Sequence, residues 1–596
     1  MKLHCSNQKG ALLIAVCTTI YIYYFLLITD KKSYYSKRRA PPQRTCSLPK
    51  LNPWDPTILG YIDPEVTTLR CHEPQVQPEV TYLDDNGFLH INHSEAVKVA
   101  KNVSCRYRTF DKKQGQDNEL EYTEWTAFEK PTRINAEFVE VSCERTSFIK
   151  TTVYSNNHNQ LIPHKSDFEK TLPSVLIIVL DSVSHSNFVR TLKKTLEVLK
   201  TEYNSFIFDG MNKIGDHSFS NAVAFMAGKM ADREFGDVLN YFDDHALIWK
   251  DFAKTGYKTF YSEDYPAFNL FNYLSKGFKT KPVDHYLRPF WLNIYGSYVH
   301  RRSANLCYGN QAMHRLQLRY FSQFLKAYRG EPKFGISWFT ELGHDYLNQV
   351  SVGDADLAEF LVQHKAQLTD SFLIVMSDHG HRFDAIRRTT VGRLEERMPF
   401  FSLSVPKRLR NEHLDNVLTT FWDVYVTLRE ICTLADEGKI AQIGSPRSKV
   451  QLPSYSDRGQ SLFEPIPERN CEEAGVPDEF CVCEKEFDTD TNDSKIKDLG
   501  NSLVQHINTI LESYKDCAKL ELKQVHSATI FENEEEERRR YRLAVEVLPS
   551  RGIFEALMQV SEDEIKVVGD INRINKYGNQ SICVDQQFIR KLCYCQ

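Results

Sequence analysis

The chain has 596 residues and a net charge of −5 at pH 7, and 41% of its residues are hydrophobic. This length exceeds that of one ordinary domain, so two to four domains are expected. Hydrophobic residues in this proportion are sufficient for a large core. Because basic residues are not in excess, the composition argues against a nucleic acid as a partner.

The N-terminus carries one long apolar segment. Residues 11–29 are mostly apolar and numerous enough to span a bilayer as a helix, and their tyrosines suit a membrane interface. No small-residue cleavage site follows, which predicts a retained signal-anchor rather than a removed signal peptide. More basic residues follow the segment than precede it, and taken alone this distribution favours the opposite orientation.

Cysteine usage decides the orientation. Of 15 cysteines, 13 lie beyond residue 29, and Cys432, on an apolar helical face, is expected to be free, which leaves twelve to pair. Asn-x-Ser glycosylation sequons occur at Asn92, Asn102, Asn492 and Asn579. Together these features indicate an oxidising lumen. The body is therefore predicted to be lumenal or extracellular: in the Golgi, at the cell surface, or secreted if the anchor is cleaved.

The chain then divides into segments that differ in composition and in hydrophobic pattern. Residues 1–10 are predicted to be a cytoplasmic tail, 11–29 the transmembrane signal-anchor and 30–44 a basic stalk. Residues 45–154 hold four cysteines and short β-like runs, which predict a disulfide-stapled β-rich domain. Residues 465–596 contain cysteines again and predict a C-terminal α+β domain. Within it, a charged run is expected to be a solvated helix face at 532–540.

The central region, residues 172–463, alternates strand-like and helix-like runs. This alternation predicts an α/β fold, with a central, mostly parallel sheet and helices on both faces. Strands are predicted at 175–180, 205–208, 258–262, 334–339, 372–376 and 400–405. Helices are predicted at 189–200, 247–254, 312–328, 354–368 and 417–432.

The first of these strands ends in an acidic residue. The unbroken apolar run at 175–180 predicts a strand buried on both faces, and Asp181 lies at its carboxyl end. In open α/β sheets, functional groups concentrate at that edge. The plainer alternative is that Asp181 only caps a helix beginning near Asn187.

A second buried strand, at 372–376, also delivers polar groups at its end, in Asp378 and His379. A tight turn at Gly380 allows both side chains to reach one cation. With Asp181 they form a set of oxygen and nitrogen ligands suited to zinc or manganese. The alternative for so short a motif is an ordinary loop.

A third polar cluster, at 215–221, opens a helical run of small residues that closes on Gly228, a residue suited to a helix C-terminus. Ser218 would lie at the helix N-terminus, where backbone N–H groups favour an anion. A serine oxygen beside a divalent cation can lose its proton and attack phosphorus. The alternative is that Ser218 is only a helix cap.

These motifs occur in the order found in a known superfamily. A strand ending in Asp-Ser, a Gly-Asp-x-Ser-x-x-Asn helix start and a strand ending in Ser-Asp-His-Gly resemble alkaline-phosphatase-like proteins, which include phosphodiesterases, sulfatases and phosphoethanolamine transferases. More closely, the chain resembles the animal family catalogued as domain of unknown function 229, from about Cys46 to Cys595. The stretches that carry this resemblance are 181–184, 212–216, 257–259, 263–264, 284–289, 341–345, 377–380, 393–397 and 471–475.

The resemblance implies a set of functional residues. The implied metal ligands are Asp181, Ser218, Asp378 and His379. The cofactor implied is one or two divalent ions, with zinc the first choice and manganese, magnesium or calcium the alternatives. His344 matches the place of a histidine that binds a second metal or the substrate. Asn221, three residues after Ser218 and on the same helix face, is expected to contact a substrate oxygen.

Two departures concern the nucleophile. Relatives usually have threonine at position 218, and serine supplies the same hydroxyl. Sulfatases with an oxidised nucleophile need proline and arginine two and four residues after it, whereas this chain has Ser220 and Ala222. This difference argues against a sulfatase that uses formylglycine.

Other departures concern a second metal. Two-metal phosphodiesterases carry an aspartate where this chain has Thr340, and a downstream histidine where it has Glu395 and Glu396. A single-metal centre is therefore at least as well supported as a centre with two ions. His381, just after the metal motif, is expected to face solvent.

The sequence thus predicts a metal-dependent phosphoester hydrolase or phosphoryl-group transferase with Ser218 as nucleophile and a covalent phosphoserine intermediate. The substrate would be a phosphorylated or sulfated glycan, lipid or small molecule, and the N-terminal helix would attach the protein to a membrane. The alternatives are a catalytically lapsed ectodomain that binds a glycan or protein partner, and a sulfatase-like hydrolase without formylglycine.

Overall fold

The computed structural model describes residues 45–63, 69–71, 79–99, 103–146, 151–163, 172–410, 417–444, 457–532, 538–562 and 564–596. The predicted tail, anchor and stalk, residues 1–44, lie outside them. Within these ranges, no helix combines the length and the apolar character that crossing a membrane requires.

The region before the central sheet consists mainly of antiparallel strands. They are β1 (Thr81–Leu83), β2 (Phe88–Ile91), β3 (Ser104–Lys112), β4 (Leu120–Tyr122), β5 (Thr126–Phe128), β6 (Thr132–Arg133), β7 (Phe138–Thr146) and β8 (Thr151–Asn159), and the helix α1 (His93–Val99) lies among them. One sheet has the order β1-β2-β6, and the other has the order β4-β3-β7-β8 with β5 also paired to β3. A disulfide between Cys105 and Cys143 joins β3 to β7.

The central sheet has seven strands in the order β10-β18-β17-β9-β16-β12-β13. The strands of this region are β9 (Val175–Leu180), β10 (Phe206–Ile207), β11 (Met211–Asn212), β12 (Lys258–Glu263), β13 (His285–Tyr286), β14 (Cys307–Tyr308), β15 (Gln311–Ala312), β16 (Lys333–Phe339), β17 (Phe372–Met376), β18 (Phe401–Ser404) and β19 (Thr419–Thr420). The five strands from β17 to β13 are parallel, whereas β18 runs antiparallel to both of its neighbours. The sheet is therefore mixed at one edge and parallel around β9.

Helices cover both faces of this sheet. They are α2 (His185–Thr191), α3 (Lys193–Thr201), α4 (Ser218–Ala227), α5 (Ile248–Lys254), α6 (Arg288–Gly296), α7 (Tyr298–Arg302), α8 (Met313–Ala327), α9 (Asp354–Gln363), α10 (Lys365–Leu368), α11 (Thr390–Arg397) and α12 (Phe421–Asp436). Ile177 of β9 belongs to one buried cluster together with Phe225 of α4 and Leu428 of α12. The next residue, Ile178, belongs to another cluster, with Phe321 of α8. Burial on both faces explains why this strand has no polar alternation.

The run predicted as one helix at 189–200 is two helices, because a second helix begins at Lys193. Its first backbone N–H groups have an external acceptor: the Asp354 carboxylate accepts from Lys194 N at 3.0 Å and from Thr195 N at 2.8 Å. A carboxylate at this position satisfies N–H groups that a continuous helix would have used internally.

The C-terminal region is a five-stranded antiparallel sheet covered by a helix. Its elements are β20 (Glu486–Asp488), β21 (Glu521–Phe531), β22 (Arg538–Leu548), β23 (Ile553–Ser561), β24 (Ile565–Arg573), α13 (Ser494–Leu511) and α14 (Gln587–Arg590). Leu499, Leu503 and Ile507 of α13 pack in one buried cluster with the sheet. Residues 538–540 of the predicted charged helix face belong instead to β22, where they pair with β23.

Six disulfides pair twelve cysteines, and Cys432 is buried and free, as expected. The pairs are Cys46–Cys483, Cys71–Cys307, Cys105–Cys143, Cys471–Cys481, Cys517–Cys593 and Cys583–Cys595. The first two bridge 437 and 236 residues of sequence. They therefore tie the N-terminal region to the C-terminal and the central regions.

Buried ion pairs join α11 to the C-terminal sheet. Arg397 of α11 contacts Glu555 of β23 at 3.0 Å and Glu486 of β20 at 3.4 Å. Arg387 contacts the same oxygen of Glu555 at 3.5 Å, and all four side chains are at most 6% exposed. Charges are tolerated at this depth only when they are paired, so the network fixes the position of the sheet against the central domain.

Replacing Glu555 by glutamine should destabilise the protein by about 3–5 kcal/mol, because two buried guanidinium groups would each lose one of their counter-charges. The measurement is the thermal unfolding midpoint of the purified chain. Glu202→Gln is the matched control, because Glu202 pairs with Lys365 at the surface, and its loss should cost no more than about 1 kcal/mol. Equal shifts in the two variants would contradict this role of the buried network.

Candidate metal centre and active site

Two neighbouring strands of the central sheet end in acidic residues. Because β9 and β17 are adjacent and parallel, Asp181 and Asp378 emerge at the same edge. Donor atoms of Asp181, Asp378 and His379 all lie within 4.8 Å of one another. Asp181 does not cap the following helix, since Ser184 accepts the bond from Asn187 N instead. The structure therefore brings the three residues together, and the plainer alternative for Asp181 is wrong.

The turn after β9 holds an unusual backbone conformation. Ser182 has a φ of 64°, in the left-handed region that residues other than glycine seldom occupy. In this conformation its N–H donates to Asp378 Oδ1 at 3.0 Å, and its hydroxyl donates to Asp181 Oδ1 at 2.8 Å. One residue therefore orients both carboxylates. Local strain of this kind persists where the surrounding contacts hold it in place.

The remaining atoms of the cluster suit a cation. His379 Nδ1 donates to the Gly380 carbonyl at 2.8 Å, which leaves Nε2 with its lone pair directed toward the carboxylates. Asp378 Oδ2 lies 3.3 Å from that nitrogen and is buried without a hydrogen-bond partner among the described residues. Burial, followed by the charge of Asp378, raises the pKa of Asp181.

Two carboxylates and one imidazole, with a buried oxygen that lacks a partner, are a donor set that fits a divalent cation such as zinc. The residues present thus fit the metal that the sequence implies.

Two glycines allow the backbone to approach this close to the centre. A Cβ at Gly380 would lie 2.4 Å from the Glu395 carbonyl oxygen of α11. A Cβ at Gly343 would lie 2.2 Å from the Asp181 carbonyl oxygen. Both distances are too short for any other residue, so these positions fix how tightly α11 and the loop after β16 pack against the ligands.

Ser218 is the first residue of α4 and faces the cluster. Its Oγ lies 3.3 Å from Asp181 Oδ2 and 3.3 Å from His379 Nε2. The residue before the helix is His217, which makes no side-chain cap bond, so Ser218 is not the helix cap. Ser218 also lines a cavity of about 330 Å³. Its hydroxyl is therefore next to the candidate ligands and within reach of a bound molecule. The predicted helix end at Gly228 is confirmed, since its φ is 65°.

Asn221 is placed differently from the sequence prediction. Its side chain is fully buried, and its Oδ1 accepts from the N–H groups of Ile214 and Gly215, each at 3.0 Å. Its Nδ2 donates to the Gly215 carbonyl at 3.1 Å. The amide is thus occupied by the loop that precedes Ser218, because this buried loop has N–H groups that require acceptors. Asn221 positions the loop and does not face the cavity.

His344 follows β16, the parallel neighbour of β9, and lines the same cavity as Asp181. Its Nδ1 lies 3.3 Å from Asp345 Oδ1, and its ring lies 5.4 Å from that of Phe268. Burial acts against the charged imidazole, but the bond to Asp345 and the charge of Asp181 outweigh it and raise the pKa of His344. This histidine is therefore suited to carry a proton at the cavity wall.

The glutamates near a predicted second metal position are already paired. Glu395 pairs with Arg190 at 2.6 Å, and Glu396 pairs with Lys213. All four side chains are almost fully buried. Their charges are neutralised by protein cations, which favours a single-metal centre.

His381 does not face solvent, contrary to the sequence prediction. It is 4% exposed, and its Nδ1 accepts from Asp384 N at 3.1 Å. Burial lowers its pKa to about 3, so it is neutral. The turn that brings His379 to the centre also directs the chain back into the protein, which the spacing of the motif could not reveal.

The C-terminal region supplies one wall of the cavity, which the sequence did not predict. Tyr577, Asn579 and Arg590 line it together with Asp216 and Arg382 of the central region, among others. These C-terminal residues lie about 200 residues beyond the metal motif and carry no recognisable pattern. The sequon at Asn579 is the single local signal, and it lies exposed at the edge of the cavity. The sequon at Asn102 lies outside the described residues.

Comparison with known sequences identifies the family. The sequence model of the family described as protein of unknown function DUF229 matches residues 65–526. The chain belongs to the DUF229 family. The resemblance to this family that the sequence motifs predict is thereby confirmed. No curated protein matches this DUF229 sequence.

Several solved structures are similar to this DUF229 protein. A protein of the alkaline phosphatase superfamily from Vibrio parahaemolyticus is 12% identical, with 71% of this chain and 86% of that chain covered and a TM-score of 0.35. The C-terminal periplasmic domain of EcEptC from Escherichia coli, in complex with Zn, is 10% identical (45% and 84% covered, TM-score 0.31). The PsFucS1 sulfatase from Pseudoalteromonas sp. is 13% identical (53% and 74% covered, TM-score 0.32). The resemblance concerns the fold alone.

The DUF229 protein, stripped with a chelator, should bind close to one zinc ion per chain. Asp378→Asn keeps the shape of the side chain but removes a ligand charge, so zinc affinity should fall by at least about 10–100-fold. His344→Ala is the control and should keep its affinity. Isothermal titration calorimetry measures the zinc affinity and the number of bound ions for both variants. Unchanged affinity in Asp378→Asn, or a second ion lost in His344→Ala, would contradict a single centre at the strand ends.

Proposed function

We propose that this DUF229 protein is a metal-dependent phosphoester hydrolase or phosphoryl-group transferase with Ser218 as its nucleophile. The observation that carries the proposal is the position of Ser218 Oγ, which lies 3.3 Å from both Asp181 Oδ2 and His379 Nε2 in a residue that lines the cavity. A hydroxyl beside three convergent ligands and open to a pocket is arranged as an activated nucleophile.

Asp181, Asp378 and His379 would hold the ion, and Ser218 Oγ would complete its ligand set. When bound, a divalent cation would lower the pKa of the serine hydroxyl and offset the charge on the ester oxygens. The protein residues then have separate tasks. Ser218 attacks phosphorus and forms a phosphoserine while the bond to the leaving oxygen breaks. Water or an acceptor alcohol afterwards takes the phosphoryl group from the serine.

Two further groups support the reaction. The N-terminus of α4 directs backbone N–H groups toward the position of the transferred group, which favours its negative charge. Protonated His344, which lines the same cavity as Ser218, would give a proton to the departing alkoxide, and Asp345 orients its ring. Asn221 acts through the loop before Ser218 and is a positioning residue.

A phosphoester is favoured over a sulfate ester by the residues around the nucleophile. Ser220 and Ala222 stand where conversion of the nucleophile to formylglycine needs proline and arginine. An unmodified serine remains the attacking group, and a sulfatase-like hydrolase without formylglycine is the second candidate.

The compartment proposed for this activity is the lumen of the secretory pathway or the cell exterior. Six disulfides support it, because such bonds persist in oxidising compartments. Residues 11–29 are proposed as the membrane anchor. The substrate would then be a phosphorylated or sulfated glycan, lipid or small molecule of that compartment.

Ser218→Ala should lower kcat for phosphoester hydrolysis by at least about 10³-fold, because the nucleophile is removed while three ligands remain. The purified full chain is assayed with zinc or manganese on p-nitrophenyl phosphate, bis-p-nitrophenyl phosphate and p-nitrocatechol sulfate. Acid quenching should trap phosphate on the peptide 211–229, detected by mass spectrometry. Ser220→Ala is the control, since its hydroxyl lies on the same helix and faces His217.

Turnover that survives Ser218→Ala would contradict the assignment of the nucleophile. A chain that binds zinc but turns over none of the three esters would instead be the lapsed, ligand-binding ectodomain. Preference for the sulfate ester, with no trapped phosphoserine, would favour the sulfatase-like alternative.

A further inference from the structure

The cavity is closed on one side by the C-terminal region, which packs directly on the loop that carries the nucleophile. The Phe588 ring of α14 lies 5.8 Å from the ring of His217, the residue before Ser218. Lys591 Nζ, just after α14, lies 3.7 Å from Asp216 Oδ2 of the same loop. A substrate ester at Ser218 would therefore extend toward C-terminal side chains, whatever its leaving group.

The cationic side chains of the cavity outnumber its carboxylates. The cations are Arg382, Lys576, Arg590 and Lys591, and the carboxylates are Asp181, Asp216 and Asp345. Asp216 is paired with Arg382 at 2.8 Å and with Lys591, while Asp345 is paired with Lys576 at 3.1 Å. Asp181 belongs to the candidate metal centre. Asp216 and Asp345 thus have counter-charges before Arg590 is considered, and Lys591 is also paired with Asp570 at 2.5 Å.

Arg590 is the cation that remains. No ion pair or side-chain hydrogen bond joins it to another described residue, and its Nε is buried without a partner among them. Its positive charge opposes the burial that raises the pKa of Tyr273, another residue of the cavity wall. A guanidinium that lines a cavity and lacks a partner is suited to bind a planar or tetrahedral anion with two parallel hydrogen bonds.

Aromatic rings line the rest of the cavity. Phe268, Tyr273, Phe383, Tyr577 and Phe588 contribute to it. Phe383 and Tyr577, from the two sides, lie 6.4 Å apart in an edge-to-face arrangement. Such surfaces pack against the apolar faces of a ring, such as that of a sugar or an inositol.

We infer that the substrate is a ring-bearing ester with a second anionic group, and that Arg590 recognises this second group. The inference rests on the proposed function, because it places the reacting ester at Ser218. The substrate class is then a sugar or inositol ester that carries a further phosphate, sulfate or carboxylate. Arg590 is a specificity-determining residue, distinct from the groups that act on the reacting ester.

Binding to the full, zinc-loaded chain tests this inference in a Ser218→Ala background, where the ligand is not consumed. Glucose 1,6-bisphosphate and inositol 1,4-bisphosphate represent a glycan and a lipid headgroup, and glucose 6-phosphate is the singly phosphorylated comparison. At least one bisphosphate should bind about 10–100-fold more tightly than the monophosphate. Arg590→Gln should remove this difference and leave the affinity for glucose 6-phosphate unchanged, whereas Arg590→Lys should restore part of it.

Arg233→Gln is the matched control, because Arg233 is an exposed arginine paired with Asp232 outside the cavity. Three results would overturn the inference. The Arg590→Gln variant could keep the preference for the bisphosphate, it could lose affinity equally for the bisphosphate and for glucose 6-phosphate, or the chain with Arg590 intact could prefer neither bisphosphate. Failure of the proposed function has a different signature. A wild-type chain without ester turnover but with an Arg590-dependent preference would refute catalysis and retain the anion site.

Discussion

Two carboxylates, Asp181 and Asp378, lie side by side below the protein surface, and their mutual repulsion is the constraint on which the centre depends. They are 2% and 0% exposed, and neither forms an ion pair with a described lysine or arginine. Burying like charges together is costly unless a cation offsets them. The adjacency of two parallel strands imposes this arrangement, and a bound divalent ion is the partner that would make it favourable.

The structure around the carboxylates serves to hold them and the nucleophile in place. Ser182 adopts a left-handed conformation to reach both carboxylates, and Asn221 uses its whole amide to hold the loop before Ser218. The C-terminal sheet is fixed by buried ion pairs at Glu555, and its last helix then forms a wall of the cavity. The separate regions of the sequence thus form one site.

The elements that follow a strict hydrophobic pattern could be predicted from the sequence. The strands at 175–180 and 372–376 have the predicted bounds, because burial on both faces leaves no polar residue within them. Since parallel strands end at one edge, the meeting of Asp181 with Asp378 followed from that pattern.

What escaped prediction depends on contacts between distant segments. The spacing predicts Asn221 on the helix face of Ser218, facing a substrate, but its amide accepts from the N–H groups of Ile214 and Gly215 instead. His381 is buried by the fold of the chain after the metal motif, and Arg590 reaches the cavity through domain packing. Spacing in one sequence carries no information about such packing.

Anomalous X-ray diffraction from zinc-loaded crystals tests the central claim most directly. One zinc peak bounded by Asp181, Asp378, His379 and Ser218 Oγ is predicted, and a peak elsewhere, or none, would contradict it.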